Sequence, residues 1–427
     1  MYIERLSLRD FRNYRNLDIA LPRGLLLFVG GNAQGKSNLL EAVYLLATTR
    51  SVRVTTEGEL VSREATRQAP AVARLVGTAC RRTGSVQVEL AIMTRPTGGQ
   101  APPGRQAASK RLRVNGVVRR ASETVGQVTA VLFTTQDIDL IGGAPSLRRR
   151  YLDITLSQVD PAYLRALQRY GKIVLQRNAL LRRIQEGAAG LDQLSFWDEE
   201  MAREGAYIAG SRGQAVSSLS VLARDTHRAL SGGEEELSLV YQPQLSRAWD
   251  GERVAAASTD ELAAALLQAL ASGRQRDVAA GVSLSGPHRD DLLFLLDGVS
   301  AAAFASRGQQ RTAALALRLA EARFLRDRSG EHPILLLDDV LSELDKSRRA
   351  GVLAAISEFE QVLITSADVD RFERADLARA AGGQTDAPPG GSAPDGGGKS
   401  LPAGASLYRV IAGRVERLAG TAGGGEL

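Results

Sequence analysis

Gly30, Gly31, Asn32, Ala33, Gln34, Gly35, Lys36 and Ser37 follow the apolar run Gly24–Val29 and open a helical pattern through Leu39, Leu40, Ala42, Val43 and Leu46. A Gly-x-x-x-x-Gly-Lys-Ser stretch between a strand and a helix is a phosphate cradle. Its glycines let backbone N–H groups turn inward, and the helix N-terminus adds the positive end of its dipole. Lys36 is placed to reach the terminal phosphates of a nucleotide and the Ser37 hydroxyl to ligate Mg²⁺. Far along the chain, the apolar run Ile334–Leu337 leads into Asp338 and Asp339. Adjacent carboxylates at the end of a buried strand suit a Mg²⁺-phosphate site, one holding the metal and one orienting an attacking water. Asp338 takes the metal role and Asp339 the water role. A helix cap accounts for one of these carboxylates and not for both. Ser306, Arg307, Gly308 and Gln309 precede a long helical run, and such a turn presents backbone N–H groups and a hydroxyl to an anion. A capped helix start is the competing reading of that turn by itself.

These groups need a scaffold of buried strands and amphipathic helices. Leu6 and Leu8 alternate with charged neighbours as in a half-buried strand, and Gly24–Val29 reads as a short buried strand. Val86–Met93 and Leu112–Val118 are further strand-like stretches. The spacer between them, 94–110, is rich in Gly, Pro, Gln and Ala and reads as a hairpin loop. Helical spacing runs from Pro161 to Leu230, and again over Glu261–Leu270. From Val282 the order is strand, helix (Gln309–Arg328), strand (Pro333–Leu337), helix (Lys346–Phe359), strand (Gln361–Thr365). The Gly/Pro/Ser-rich segment 381–404 has the composition of disorder, and Leu407–Ile411 returns as a strand. The expected organisation is an α/β fold with strand-rich segments at 1–150 and 281–427 on either side of a helical segment at 151–280.

The chain has 427 residues, of which 44% are hydrophobic and 24% charged, a length sufficient for two to three domains with sizeable cores. The single cysteine, Cys80, excludes an intrachain disulfide, and with three histidines it argues against a Cys/His zinc site. No apolar run reaches the length of a membrane span and the N-terminus lacks the apolar core of a signal peptide, so a cytoplasmic protein is expected. The formal charge of +6 is a weak hint of a polyanionic partner. Its clusters are Arg148-Arg149-Arg150, Arg119-Arg120, Arg182-Arg183 and Arg5/Arg9/Arg12/Arg15. Arg148, Arg149 and Arg150 are candidate contacts for the phosphates of such a partner, DNA if the resemblance described below holds, with solvated surface arginines as the competing reading.

Phosphate loop, Ser306 turn, acidic strand end and the stretch Ser342–Asp345 occur in the order found in ABC ATPases, whose signature, acidic strand and D-loop they resemble. Leu8–Tyr14, Ser146–Asp153, Ser285–Leu292, Gly308–Thr312 and Leu337–Asp345 together resemble the RecF family, across most of the chain from Leu6 to Phe372. The resemblance implies ATP with Mg²⁺ as cofactors and a split ATPase head with a compact helical subdomain. It also implies a homodimer in which Ser306, Gly308 and Gln309 contact the γ-phosphate held by the opposite copy. In that family the ATP-bound dimer binds duplex or gapped DNA. With RecO and RecR as partners it promotes loading of RecA onto single-stranded DNA. The family's Q-loop falls near Phe133–Asp137 and makes Gln136 a candidate metal or water contact, with Asp137 the alternative. Thr365 and Ser366 stand where many ABC ATPases place a histidine. A hydroxyl cannot replace that cation or base, so hydrolysis is expected to be slow. His288 is expected to fix its loop. Rival readings are a transporter ATPase, a phosphate-loop kinase and a chromosome-condensation head. The far-off signature, the D-loop and the shortness of 161–280 each count against one of them.

Overall fold

The computed structural model describes residues 1–54, 56–67, 70–94, 108–246, 248–367 and 404–420. They form two compact units, 1–135 with 325–427 and 136–324. The boundaries fall earlier than 150 and later than 280, for two reasons. Arg148 of the Ser146–Asp153 stretch is bonded to Asp291. The strand after Asp290 pairs with a strand at Leu237–Gln242, so both ends of the middle region are tied into it.

The first unit contains two six-stranded sheets. One is antiparallel, in the order β2 (Tyr14–Ala20), β1 (Tyr2–Phe11), β4 (Val72–Arg81), β5 (Gly84–Thr94), β6 (Ala108–Val114), β7 (Val117–Arg119). The other runs β15 (Arg414–Gly420), β14 (Ala405–Ile411), β3 (Gly24–Val29), β13 (Gln361–Ser366), β12 (Ile334–Asp338), β8 (Ala130–Thr134). Its five strands from β14 to β8 are parallel, and β15 alone runs back. Strands buried on both faces read as continuous apolar runs, which is why β3, β12 and β13 were legible without alternation. Helix α1 (Lys36–Thr48) packs on strands of both sheets, and Leu39 through Thr48 are all buried, the one charged residue among them, Glu41, being paired with Arg12. The helix α2 (Ala121–Thr124) precedes β8. Leu112–Val118 is not one strand: Asn115 and Gly116, both at positive φ, turn it into the β6–β7 hairpin, as Asn-Gly pairs do. Strand β4 had no clear expectation, and β15 extends the expected returning strand into a hairpin. Helix α11 (Lys346–Ile356) links β12 to β13. Residues 95–107 of the expected hairpin loop, and 381–403 of the segment read as disordered, lie outside the described residues.

The second unit is mainly helical. It comprises α3 (Ile138–Gly142), α4 (Pro145–Ser157), α5 (Pro161–Gln185), α6 (Leu194–Ser231), α7 (Gly251–Ala256), α8 (Thr259–Ala280), α9 (Ala301–Phe304) and the start of α10 (Arg307–Ser329), which runs on into the first unit. Strands β9 (Leu237–Gln242), β10 (Asp291–Leu296) and β11 (Val299–Ser300) form a small antiparallel sheet. Asp160 caps α5 by accepting from the Ala162 and Tyr163 amides, and Ser258 with Glu261 makes a capping box for α8. α8 therefore begins before the expected Glu261 and continues past Leu270 to Gly281, whose left-handed φ of 65° ends it.

Candidate nucleotide site

The phosphate loop joins β3 to α1, and neighbouring turns brace it. A Cβ on Gly30 would lie 2.3 Å from the Val410 carbonyl oxygen. Gly35 has φ 115°, and a Cβ there would meet the Asn13 side chain at 2.6 Å. Only glycine fits both conditions at Gly35. Asn13 donates to the Gln34 carbonyl at 2.9 Å and accepts from Asn38 at 2.8 Å. Tyr14 donates its hydroxyl to the Gly35 carbonyl at 2.9 Å. From the β14–β15 turn the Ala412 amide donates to Gln34 Oε1 and the Gly413 amide to the Gln34 carbonyl, at 2.7 and 3.0 Å. The Leu8–Tyr14 stretch, singled out by resemblance alone, thus sets the loop's rim. The only sequence signal for this was an Asn-Tyr pair at a strand turn.

Within the loop, Lys36 Nζ donates to the carbonyls of Gly30 and Gly31 at 2.7 and 2.9 Å. Burial lowers the Lys36 pKa from its ordinary value, and the charges of Asp339 and Asp338 partly restore it. The ammonium is therefore held over the loop with few waters around it, a position from which it can exchange carbonyls for phosphate oxygens.

Ser37 and Asp338, far apart in sequence, meet at the mouth of the loop. The Ser37 hydroxyl donates to Asp338 Oδ1 at 2.7 Å, and Thr365 donates to the same oxygen at 2.8 Å. Arg53 pairs with the other carboxylate oxygen, a contact that the sequence reading did not anticipate. Asp339 sits at φ 56°, a left-handed conformation that non-glycine residues seldom adopt. Its amide donates to Thr365 Oγ1 at 3.0 Å, and its Oδ1 is buried without a hydrogen-bond partner among the described residues. The donor set suits Mg²⁺: one hydroxyl and one carboxylate are what that ion takes from protein when phosphates and water complete its octahedron. The unpartnered oxygen of Asp339 suits an acceptor for a polarised water. Thr365, the residue read at the switch position, donates to the Asp338 carboxylate and accepts from the Asp339 backbone amide rather than standing free. Asp345 accepts from the Arg348 amide and caps α11.

The remaining candidates belong to the second unit. Gln136 lies in the short turn after β8 and is exposed, whereas Asp137 accepts from Arg318 at 2.8 Å. Ser306 and Gln309 form a reciprocal cap: the Ser306 amide donates to Gln309 Oε1 at 2.7 Å and the Gln309 amide to Ser306 Oγ at 3.3 Å. Gln309 also donates to Glu235 at 2.6 Å. The capped helix start is therefore real. The exposed Ser306 hydroxyl accepts in that cap and keeps its own proton to donate. Gly308 is half-buried beside it.

Two arginines read as DNA contacts hold the fold instead. Arg148 is 6% exposed. Its guanidinium grips Asp291 at 2.7 and 2.8 Å and the Gly143 carbonyl at 2.6 Å. Arg149 donates to the Asp290 carbonyl at 2.8 Å, and burial lowers its pKa. Arg150 is exposed. Helical spacing forces this division, because three consecutive residues cannot share one face. His288 is structural: its Nδ1 accepts from Tyr170 at 2.8 Å and its Nε2 donates to the Ser283 carbonyl at 3.0 Å, the tautomer that satisfies both contacts.

A phosphate cradle on a parallel sheet, with Ser37 bonded to Asp338 at the end of β12 and Asp339 next to it, defines a phosphate-loop ATPase head of the ABC type. The family model described as the RecF/RecN/SMC N terminal domain matches residues 2–383. The DNA replication and repair protein RecF of Chloroflexus aurantiacus is 44% identical over 88% of this chain and 96% of its own. That of Chloroflexus aggregans is 45% identical over 89% and 97%. The chain belongs to the RecF family. A solved structure described as the recombination mediator protein RecF-ATP in the RecFOR pathway superposes with a TM-score of 0.79 at 28% identity, covering 98% of both chains. An Smc head from Pyrococcus furiosus, 15% identical with a TM-score of 0.51 over 98% of this chain and 96% of its own, shares the fold.

Proposed function

We propose that the protein is an ATP-switched recombination mediator of the cytoplasm. Two copies close on ATP and Mg²⁺ and bind duplex or gapped DNA. With RecO and RecR they promote RecA loading on single-stranded DNA, and slow hydrolysis resets them. The observation that carries this reading is the Ser37–Asp338 bond beside the unpartnered oxygen of Asp339. It is supported by the names of the relatives and by the RecF-ATP structure. Gly30 to Ser37 hold the phosphates, Ser37 and Asp338 hold Mg²⁺, which neutralises phosphate charge, and Asp339 orients water. Gln136 is a further contact on the nucleotide side. Ser306, Gly308 and Gln309 serve the opposite copy's γ-phosphate, so ATP stabilises the closed dimer by contacts that exist only there.

Sedimentation with and without ATP tests this. Ser306→Arg is expected to bind ATP as a monomer and neither dimerise nor hydrolyse it. Mixed with Lys36→Met it is expected to recover at most one composite site per dimer. Normal ATP-dependent dimerisation of Ser306→Arg would show that the signature does not act across copies.

A further inference from the structure

With Arg148 and Arg149 committed to carboxylates and carbonyls, only Arg150 of that cluster is exposed, and most of the phosphate contacts required by the proposed DNA binding must come from elsewhere. α5 carries Arg165, Arg169, Lys172, Arg177, Arg182 and Arg183 and not one aspartate or glutamate. Arg177 is fully buried and anchors the helix through Asp198, Asp277 and Ser283. The other five are exposed. Arg165, Arg169, Lys172, Gln176 and Arg183 recur at spacings of three, four and seven residues and so share one face. Arg169 pairs with Glu204 at 2.8 Å. Among the described residues, no ion pair engages Arg165, Lys172, Arg182 or Arg183. The flanking acids are Asp160, occupied in capping the helix and accepting from Tyr207, and Glu186 just past its end.

An ordinary solvated helix face mixes charges of both signs, and like charges three or four residues apart weaken a helix. Complementing the helix C-terminus accounts for Arg182 and Arg183, but not for Arg165 and Lys172, which lie in the first half. At about 1.5 Å per residue the face from Arg165 to Arg183 spans about 27 Å, the rise of about eight base pairs at about 3.4 Å each. The tyrosines of the helix, Tyr163 and Tyr170, are buried. No ring is therefore offered for stacking unpaired bases, which favours a duplex over a single strand. Leu175, 70% exposed, is the only large apolar side chain that α5 exposes among the described residues, too little for the core of a protein interface.

We infer that this face of α5 is a docking surface for the sugar-phosphate backbone of duplex DNA. The inference rests on the DNA-binding reading above and adds its location. Contacts of this kind release counterions and carry no sequence preference.

The test is binding of a fluorescent duplex to the full-length protein with ATP, titrated over salt. The variants are Arg165→Ala/Lys172→Ala/Arg183→Ala and the same triple with Gln, both of which keep α5 helical. Loss of three phosphate contacts is expected to flatten the log–log salt slope by about 2.7 and to weaken binding equally for unrelated sequences. ATP affinity and ATP-dependent dimerisation stay as in wild type. Wild-type duplex affinity and slope in both variants would overturn the assignment while leaving DNA binding intact. So would a loss confined to single-stranded probes or to an acidic protein partner. A wild-type protein that binds no duplex with ATP would overturn the underlying reading and the location with it.

Discussion

Lowering the pH from 7.5 to 5 is expected to destabilise the helical unit through His288, by an amount the structure sets. Burial lowers the His288 pKa from 6.5 to about 4, outweighing the hydrogen bond to the Ser283 carbonyl, which acts to raise it. The folded state therefore excludes a proton that the unfolded chain accepts. The resulting stability is fully present above pH 6.5 and is lost as the pH falls toward 4. From those two values the loss between pH 7.5 and 5 is about 2 kcal/mol. Other buried groups titrate in the opposite sense: burial raises the pKa of Asp290 and of Glu321. The effect is accordingly read as the difference from His288→Gln, which keeps a donor for Ser283 and has no proton to gain. Both tryptophans, Trp197 and Trp249, lie in the helical unit, so urea titration followed by tryptophan fluorescence reports that unit directly. Wild type should converge on the variant by about 2 kcal/mol at pH 5. An unchanged gap at the two pH values would mean that His288 is not held neutral by its surroundings.

At the nucleotide site the two carboxylates should separate by behaviour. Asp338→Asn is expected to lose the Mg²⁺ dependence of ATP binding. Asp339→Asn is expected to bind ATP and accumulate as dimer, with turnover reduced by about 10²–10⁴-fold; full turnover in both would refute the division of roles. Gly35→Ala places a methyl 2.6 Å from Asn13 at φ 115°, a strain of about 1–3 kcal/mol. Calorimetry should show ATP affinity lowered by about 5- to 150-fold with the fold intact, and unaltered affinity would mean that the loop is not fixed at this point.

Much of the site was legible because its motifs are local. A strand, a glycine loop and a helix adjacent in sequence must be adjacent in space, and Asp338–Asp339 is carried by an apolar run too short to be anything but a strand. What the sequence concealed is long-range. Arg53 lies in a stretch with no periodicity, yet it reaches Asp338 across the unit. Asn13 and Gln34 meet only because β1–β2 and β14–β15 turn toward the same loop. Arg148 failed as a surface residue because nothing in three consecutive arginines says which one faces inward. The partner was Asp291, read only as part of a resembling stretch.

The stretches Ser146–Asp153 and Ser285–Leu292 do none of the nucleotide chemistry, and the structure supplies a physical reason for their composition. Arg212, 2% exposed on α6, donates to Asp153 on α4, to Tyr163 on α5, and to the Pro287 carbonyl and Asp290 ahead of β10. Asp290 also accepts from Tyr241 on β9 and from the Gln244 amide. A guanidinium removed from water is costly unless its donors are met and its charge is opposed. Once α4, α5, α6, β9 and β10 converge on it, no one of them can move without leaving a buried charge unpaired. The carboxylates of Asp153 and Asp290 are therefore demanded by one buried arginine, and a neutral side chain at either would leave its charge less opposed, whereas Pro287 contributes only its backbone carbonyl. This gives the short polar stretches of the helical unit a structural reason for their composition. The loop must fit a nucleotide that every ATPase of its class binds, whereas these stretches must fit each other.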